Sequence, residues 1–246
     1  ELVFFSNANW TTFDLSTGEY ITKLGQLRRL TISGYGLVDL DPDFKNLKNL
    51  ESLDISVNNF EKIPEVLTKE NFPKLHALYL NTCQRGVIYD LSNTTTTHFG
   101  GLFEETDQTR EFPRRLLEWD NLDTLTLSVN YLQGRIPDMK DYAQKYTQAD
   151  ISAADSLPQA LVGTPKVLPN IKRFSINLNR LTGELPEWLL HHPALDWMDP
   201  FTLVFTQEGK DQDGKLAGFT NEPVNLDEYY RFYEGKKYLD PNKKEE

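Results

Sequence analysis

The sequence contains one cysteine, Cys83, among its 246 residues. A single thiol excludes an internal disulfide bond and any zinc site built from several cysteines. Such sparing use of cysteine is typical of cytosolic proteins, and it also fits an exported bacterial protein that is large enough to fold without disulfides. The cysteine content therefore leaves the compartment open.

Basic residues are fewer than acidic residues. The chain has 26 Lys and Arg against 37 Asp and Glu, which gives a formal net charge of −11. A surface that binds phosphate groups needs clustered Lys and Arg, so nucleic acid and anionic membrane surfaces are not expected as partners. The sequence lacks long apolar runs, and no membrane span is predicted.

One spacing of apolar residues recurs five times along the chain. Each copy fits the pattern L-x-x-L-x-L-x-x-N/C-x-L, except that Tyr35 replaces the Asn in one copy and Arg85 replaces the last apolar residue in another. The five segments are 27–37, 50–60, 75–85, 122–132 and 171–181, which start 23, 25, 47 and 49 residues apart. The pattern resembles the leucine-rich repeat family over roughly residues 24–190. We interpret each of the two long separations as one repeat plus an insertion.

The centre of each repeat, x-L-x-L-x, alternates apolar and polar residues with the period of a β-strand. One such unit cannot bury its apolar face alone, whereas stacked units bury it against each other. The resemblance accordingly implies an α/β fold: a right-handed leucine-rich-repeat solenoid with a curved parallel β-sheet on its concave side and an irregular, short-helical convex side.

The ninth position of the repeat holds a residue that turns the chain toward the core. A buried Asn there can satisfy backbone groups of adjacent coils, and a Cys can replace it as a small buried residue. The sequence therefore predicts a structural ladder made of Asn58, Cys83, Asn130 and Asn179.

Three repeats continue with an Ile-Pro or Leu-Pro step, and in two of them Gly134 or Gly183 precedes it. The motif N-x-L-x-G-x-[I/L]-P resembles the plant-type subclass of these repeats, but the flanking cysteine pairs of plant receptor ectodomains are missing. In this respect the chain is more similar to exported and surface proteins of gut Bacteroidetes. That resemblance implies an extracellular or cell-surface location. Because the sequence starts at Glu1 and not at Met, a lipid anchor on a removed N-terminal segment is one option.

The organisation predicted from these patterns has three parts. Residues 1–23 form an N-terminal cap with a β-hairpin at 10–21, residues 24–200 hold about five to six repeats, and residues 201–246 form a C-terminal cap and tail. Insertions near 87–111 and 140–165 interrupt the array, and the second contains a stretch that could form a short helix. Such insertions are loops that either carry function or are tolerated at the surface.

Side chains that flank the two buried positions of each strand are expected on the concave surface. Most are small and hydroxylic, so this surface is either a solvated sheet face or a shallow groove for a peptide or glycan. Tyr79, Arg29 and Arg173 would anchor a partner, because aromatic and Arg side chains dominate interface energies. The candidate binding residues are Arg29, Thr31, Asp54, Ser56, Tyr79, Asn81, Thr126, Ser128, Arg173 and Asn177.

No residue pattern in the sequence supports a catalytic or metal site. Cys83, with His76 nearby in the chain, takes a buried ladder position and not the exposed basic setting that a reactive thiolate needs. The pair His191-His192 diverges and lacks a spaced third ligand, and the stretch 211–214 lacks the ligands of a calcium loop. Asp54 is the only acid at a central strand position, so no carboxylate pair for glycoside hydrolysis is visible. We therefore expect no catalytic residue, metal or cofactor.

The favoured function is non-enzymatic binding. In this interpretation the chain is a recognition or scaffold module of an exported bacterial protein, with a protein or peptide as its partner, or a glycan. The alternatives are a carbohydrate-active enzyme with its site in the insertions and a structural spacer within a larger surface protein. The fold by itself does not identify a ligand.

Overall fold

A computed structural model describes residues 1–5, 19–58, 60, 62–82, 111–153, 157, 159–190, 192–195, 206–207, 209–210 and 214–221. The first predicted insertion lies outside these residues except for Glu111, and so does the predicted ladder residue Cys83. Most of the second insertion is described.

The described residues build a parallel sheet of six strands. Neighbouring strands are hydrogen-bonded in the order in which they follow along the chain. The strands are β1 (Leu2–Phe5), β2 (Arg29–Ser33), β3 (Ser52–Asp54), β4 (Ala77–Tyr79), β5 (Thr124–Thr126) and, after a short β6 that belongs to a second sheet, β7 (Arg173–Ser175). The five predicted repeat strands therefore lie side by side, which confirms the solenoid.

Two apolar rows across this sheet form the core. Side chains alternate between the two faces of a strand, so residues two positions apart point to the same side. The first row is in register from strand to strand and consists of Leu30, Leu53, Leu78, Leu125 and Phe174, none of them more than 1% exposed. The second row, two residues further along each coil, consists of the fully buried Ile32, Ile55, Leu80, Leu127 and Ile176. Burial of these side chains is the main stabilising contribution, at about 25 cal/mol per Å² of apolar surface.

A second, smaller sheet follows the turns of the later coils. Its strands β6 (Gln133–Gly134), β8 (Arg180–Gly183) and β9 (Gly218–Phe219) pair in parallel in this order. The first two strands come from the L-x-G-x-[I/L]-P part of their repeats. The motif therefore supplies a second line of strands and not only a bend.

The segments that return from one strand to the next are irregular or contain short helices, as predicted. The 3-10 helices are Pro42–Asn46, Arg114–Glu118 and Gln159–Leu161, and the α-helices are α1 (Gln148–Ala153) and α2 (Glu187–Leu190). Each 3-10 helix and α2 place at least one apolar side chain in the core. Among the residues that the structure describes, no helix has the length and apolar character needed to cross a bilayer.

The sheet begins earlier than the sequence pattern indicates. Leu2 and Phe4 pair in register with Leu30 and Ile32 of β2, so the first residues form a parallel coil and not part of a hairpin cap. The predicted hairpin lies outside the described residues except at 19–21, which are helical and not extended. The template misses β1 because its four residues carry only the two alternating apolar positions, without the leading Leu of the repeat.

The second insertion packs against the array. It contains the predicted short helix, α1, and an antiparallel bridge between Lys145 and Pro165 joins its two ends. Tyr146 and Leu161 are each only 6% exposed. The insertion is therefore part of the folded body and forms a wall on the convex side.

Candidate functional site

The concave surface is arranged in rows because the strands are in register. The first row is Arg29, Ser52, Ala77, Thr124 and Arg173, and the second is Val3, Thr31, Asp54, Tyr79, Thr126 and Ser175. The two arginines therefore stand near opposite ends of the first row, with only small side chains between them. On the edge strand β1, Val3 and Phe5 are 56% and 66% exposed. The surface is thus mostly small and polar, with large side chains at a few positions.

A third row, just after the strands, is hydrogen-bonded within the protein. The Ser128 hydroxyl lies 2.8 Å from the Ser175 hydroxyl and 2.5 Å from the side-chain oxygen of Asn177. The side-chain oxygen of Asn81 accepts from the Ser128 backbone N–H at 3.0 Å, and the Ser56 hydroxyl accepts from the Asn81 N–H at 3.2 Å. Of the candidate binding residues, Ser56 and Ser128 are each only 8% exposed. This row holds the coils together and offers little surface to a partner.

Tyr79 is the largest side chain in the middle of the concave surface. Burial raises the pKa of its phenol; the positive charge of Arg173 opposes this shift, whereas the carboxylates of Asp123 and Asp54 add to it. Tyr79 belongs to β4 and Arg173 to β7, and the strand between them carries only Thr124 and Thr126 at these rows. Two long side chains therefore face each other above a strand of small ones.

Beside the first row runs a column of ionisable residues whose role the sequence pattern does not reveal. Arg28 forms an ion pair with Glu51, and the Nδ1 atom of His76 lies 3.3 Å from a carboxylate oxygen of Asp123. The Thr124 hydroxyl donates to the same Asp123 carboxylate at 2.9 Å. The column occupies one fixed position of the repeat, directly before the first row. A comparison of this position between successive repeats would have shown that basic and acidic residues alternate there.

The predicted ladder forms at each of its described members. The Asn58 side-chain oxygen accepts from the backbone N–H groups of Tyr35 and Leu37, one coil earlier, while its amide donates to the carbonyls of Ile32 and Ile55. Asn130 and Asn179 donate in the same way to the preceding coil and to their own. All three Asn are at most 1% exposed. Asn58, Asn130 and Asn179 thus each connect the backbones of two coils.

Gln207 continues the ladder by one more coil, which the sequence pattern misses. Its side-chain oxygen accepts from the Leu181 N–H at 3.2 Å, and its amide donates to the Ile176 carbonyl at 3.2 Å. The backbone N–H of Leu178 also donates to the Thr206 carbonyl, as the equivalent Val129 donates to Asn177. A Gln one position before the expected Asn has the extra methylene needed to reach the same backbone groups.

A cavity of about 1020 Å³ lies on the convex side, between the second insertion and the last two coils. Its buried lining is mostly apolar and includes Ile136, Leu161, Val167, Leu185 and Trp188. The exposed charged residues of the lining carry both signs: Arg135, Lys140, Asp138, Glu184 and Glu187. The sequence could not indicate this cavity, because its walls come from segments that only the folded insertion brings together.

His192, one half of the histidine pair, is buried and hydrogen-bonded. Its Nε2 atom lies 3.0 Å from the Leu168 carbonyl, and its Nδ1 atom accepts from the backbone N–H of Ala194 at 3.1 Å. These partners define a neutral ring protonated at Nε2, which fastens the chain after α2 to the end of the insertion. His191 lies outside the described residues. Within the described part of the chain, no cluster of three or more His, Cys, Asp or Glu residues could hold a metal ion.

Short strands that stack in parallel, with a buried Asn at the turn of three of the coils, define a leucine-rich-repeat solenoid. Residues 49–69, which contain β3 and Asn58, match the family model described as Leucine Rich Repeat. The fold is thus a leucine-rich-repeat solenoid, and one of its coils matches the family model.

Two solved structures are similar to this chain. One is the ectodomain of the Arabidopsis receptor kinase HAESA in complex with an N-terminally extended IDA peptide hormone, with 21% identity and a TM-score of 0.47. The other is a leucine-rich-repeat protein of Leptospira interrogans, with 17% identity and a TM-score of 0.46. The matches cover 78% and 82% of this chain, but only 24% and 36% of those two chains. No curated protein matches the sequence.

Proposed function

We propose that the protein is a non-enzymatic recognition module that binds a segment of another protein, or a free peptide, across its concave sheet. The binding surface is centred on Tyr79 and Arg173, with Arg29, Thr31, Asp54 and Thr126 around them. Asn81 and Asn177 border this surface, and Ser56 and Ser128 support it from beneath. Leucine-rich-repeat proteins commonly display such a sheet as a binding surface.

The observation that carries the proposal is the placement of Tyr79 and Arg173 on either side of a strand of small residues. A partner chain can approach the backbone closely above Thr124 and Thr126, while an aromatic ring and a guanidinium flank it. Tyr and Arg are the residue types most often responsible for binding energy at protein interfaces.

Peptide selection followed by calorimetry tests this surface. Random peptides displayed on phage are selected on the intact protein, and the Kd of each selected peptide is measured by titration calorimetry. We expect Tyr79→Ala and Arg173→Ala each to weaken binding by about tenfold or more. The matched control is Lys45→Ala, an exposed residue of the 3-10 helix Pro42–Asn46 on the convex side. Equal affinities for Tyr79→Ala and Lys45→Ala would rule out the concave surface.

A glycan array on the same protein separates the classes of partner. Glycan binding that depends on Tyr79, without any peptide binding, would move the proposal from peptide to glycan recognition. Release of sugar products from the arrayed glycans would instead indicate the enzymatic alternative. We expect neither result.

We also propose that the protein is exported and works outside the bacterial cell or on its surface. The support is the similarity of its plant-type repeats, with a single cysteine, to exported proteins of gut Bacteroidetes. Digestion of intact source cells by an added protease tests this: loss of the protein, while a cytosolic marker survives, is the expected result.

A further inference from the structure

Tyr146 belongs to the lining of the cavity on the convex side. The residue is only 6% exposed, and its hydroxyl has no hydrogen-bond partner among the described residues. A tyrosine hydroxyl in the lining of a pocket is one of the few polar groups that commonly orient a bound ligand. Burial also raises the pKa of this phenol to about 12, so at neutral pH it is a neutral group that can donate a hydrogen bond.

The cavity has the size and the lining of a ligand site. Small-molecule sites typically have volumes of about 300–1,000 Å³ and combine apolar walls with a few polar groups. The volume of this cavity, about 1020 Å³, is just above that range. Leu161 and Trp188 belong to its buried apolar part. Such a lining favours a ligand with an apolar body that is larger than a single amino acid.

The charged residues of the cavity lining indicate which class of ligand the cavity can bind. Arg135 and Glu184 occupy equivalent positions of successive L-x-G-x-[I/L]-P motifs, and within the described part of the chain neither makes an ion pair or a side-chain hydrogen bond. Asp138 and Glu187 add negative charge, whereas Lys140 lies 3.7 Å from Asp138 and compensates it in part. A polyanion would be repelled by these carboxylates. A zwitterion can place a carboxylate near Arg135 and an ammonium group near Glu184.

We propose that this cavity is a second binding site, separate from the concave surface, for a short zwitterionic peptide with an apolar side chain. The side chain packs against Leu161 and Trp188, a carbonyl or carboxylate oxygen accepts the hydrogen bond of Tyr146, and the peptide termini lie near Arg135 and Glu184. The second insertion exists in this view to complete the site, because Tyr146 and Leu161 both come from it.

Titration calorimetry with the tripeptide Ala-Leu-Ala as the probe tests the site. We expect Tyr146→Phe, which removes only the hydroxyl, to weaken binding about fivefold. We expect Ala160→Trp, at an exposed position of the lining, to abolish binding by filling the cavity. The matched control is Tyr142→Phe, a tyrosine of the same insertion that does not line the cavity; it should leave the affinity unchanged.

The charges are tested separately with a capped probe. Arg135→Ala and Glu184→Gln should each weaken the binding of the zwitterionic tripeptide about threefold. Neither substitution should change the affinity for the acetylated and amidated form of the peptide. Tyr79→Ala should change neither affinity, which distinguishes this site from the concave one. Three results would overturn the proposal. The folded wild-type protein could bind neither peptide at millimolar concentration, or the wild type, Tyr146→Phe and Ala160→Trp could bind the peptide with equal affinity. The third result is binding of neutral oligosaccharides in place of peptides.

Discussion

The side-chain oxygen of Asn179 accepts a hydrogen bond from the backbone N–H of Asn130, 2.9 Å away and 49 residues earlier in the chain. It also accepts from the N–H of Leu132, and its amide donates to the carbonyls of Leu127 and Ile176. One buried side chain thus satisfies four backbone groups in two coils. Such an arrangement ties the two coils together at the turn that follows the strands.

We expect Asn179→Ala to lower the free energy of unfolding by about 3–4 kcal/mol, since the buried N–H groups of Asn130 and Leu132 lose their acceptor and two carbonyls each lose one of their donors. Urea denaturation followed by circular dichroism measures the change. The matched control is Asn121→Ala, because Asn121 is exposed and makes one side-chain hydrogen bond, to the Pro73 carbonyl. Its loss should be about 0.5 kcal/mol. Similar losses for the two variants would contradict a special role of the ladder.

Gln207 should act as the last ladder residue. We expect Gln207→Ala to destabilise the protein by about 1–2 kcal/mol, less than Asn179→Ala because Gln207 is only half-buried. Hydrogen exchange of the Leu181 amide, which donates to Gln207, should accelerate. Gln207→Asn should behave like the Ala variant, because the shorter side chain does not reach. Unchanged exchange at Leu181 in both variants would show that the hydrogen bond is not formed in solution.

Gly183 is a position where a side chain is not accepted. Its φ is +87°, and a Cβ atom there would lie 2.9 Å from the Nε atom of Arg135. We expect Gly183→Ala to cost about 1–2 kcal/mol, from the left-handed backbone and the displaced Arg135. Gly25→Ala is the control, since Gly25 has no heavy atom within 4 Å of the added Cβ and no positive φ. Thermal denaturation that ranks the two variants in the opposite order would contradict this reading.

The titration of Tyr146 should be visible at high pH. Burial raises its pKa to about 12, from 10.0 for a free phenol, with the charge of Asp150 adding to the shift. The neutral phenol therefore contributes stability that is complete below pH 10 and is lost as the pH rises through about 12. Ultraviolet absorbance of tyrosinate should show a component near pH 12 that disappears in Tyr146→Phe. An unchanged titration curve in that variant would contradict the burial of Tyr146.

Asp150 should hold the second insertion together over most of the pH range. The hydrogen bond from Lys166, at 2.7 Å, lowers its pKa to about 2, and Thr147 adds to this through its backbone and side chain. The stabilisation is present above the unfolded pKa of about 4 and is lost as the pH falls through about 2. Carboxyl chemical shifts in NMR should place the Asp150 midpoint near 2 in the wild type and higher in Lys166→Met. A wild-type midpoint near 4 would show that the contact is absent.

The fold was largely predictable because the same spacing of apolar residues recurs in five segments of the chain. The alternating Leu30 and Ile32 in one copy would be ambiguous alone, but the same spacing at Leu53 and Ile55, and in three further copies, leaves one arrangement that buries all of them. The first strand was not predictable in this way, because Leu2 and Phe4 belong to a copy too short to match. The repeat pattern did not predict Gln207 as a ladder residue for a similar reason, since Gln207 makes the hydrogen bonds of the ladder Asn from a position one residue earlier.

The candidate site was predictable only in outline. Strand register places Tyr79, Thr126 and Arg173 on one face, and that much follows from counting residues. The hydrogen bonds of Ser128 with Ser175 and Asn177 depend on distances between coils, which no spacing reveals. The pairing of His76 with Asp123 is of the same kind.

The sequence by itself determined the stacked coils, the inward apolar rows and the Asn ladder, because each is a local pattern whose burial requires identical neighbours. Tertiary structure alone decided which concave side chains remain accessible and that the second insertion folds back to form one wall of a cavity, which Tyr146 lines. The physical reason is that packing between segments far apart in the chain depends on shape and distance, and neither has a period that can be read from the order of residues.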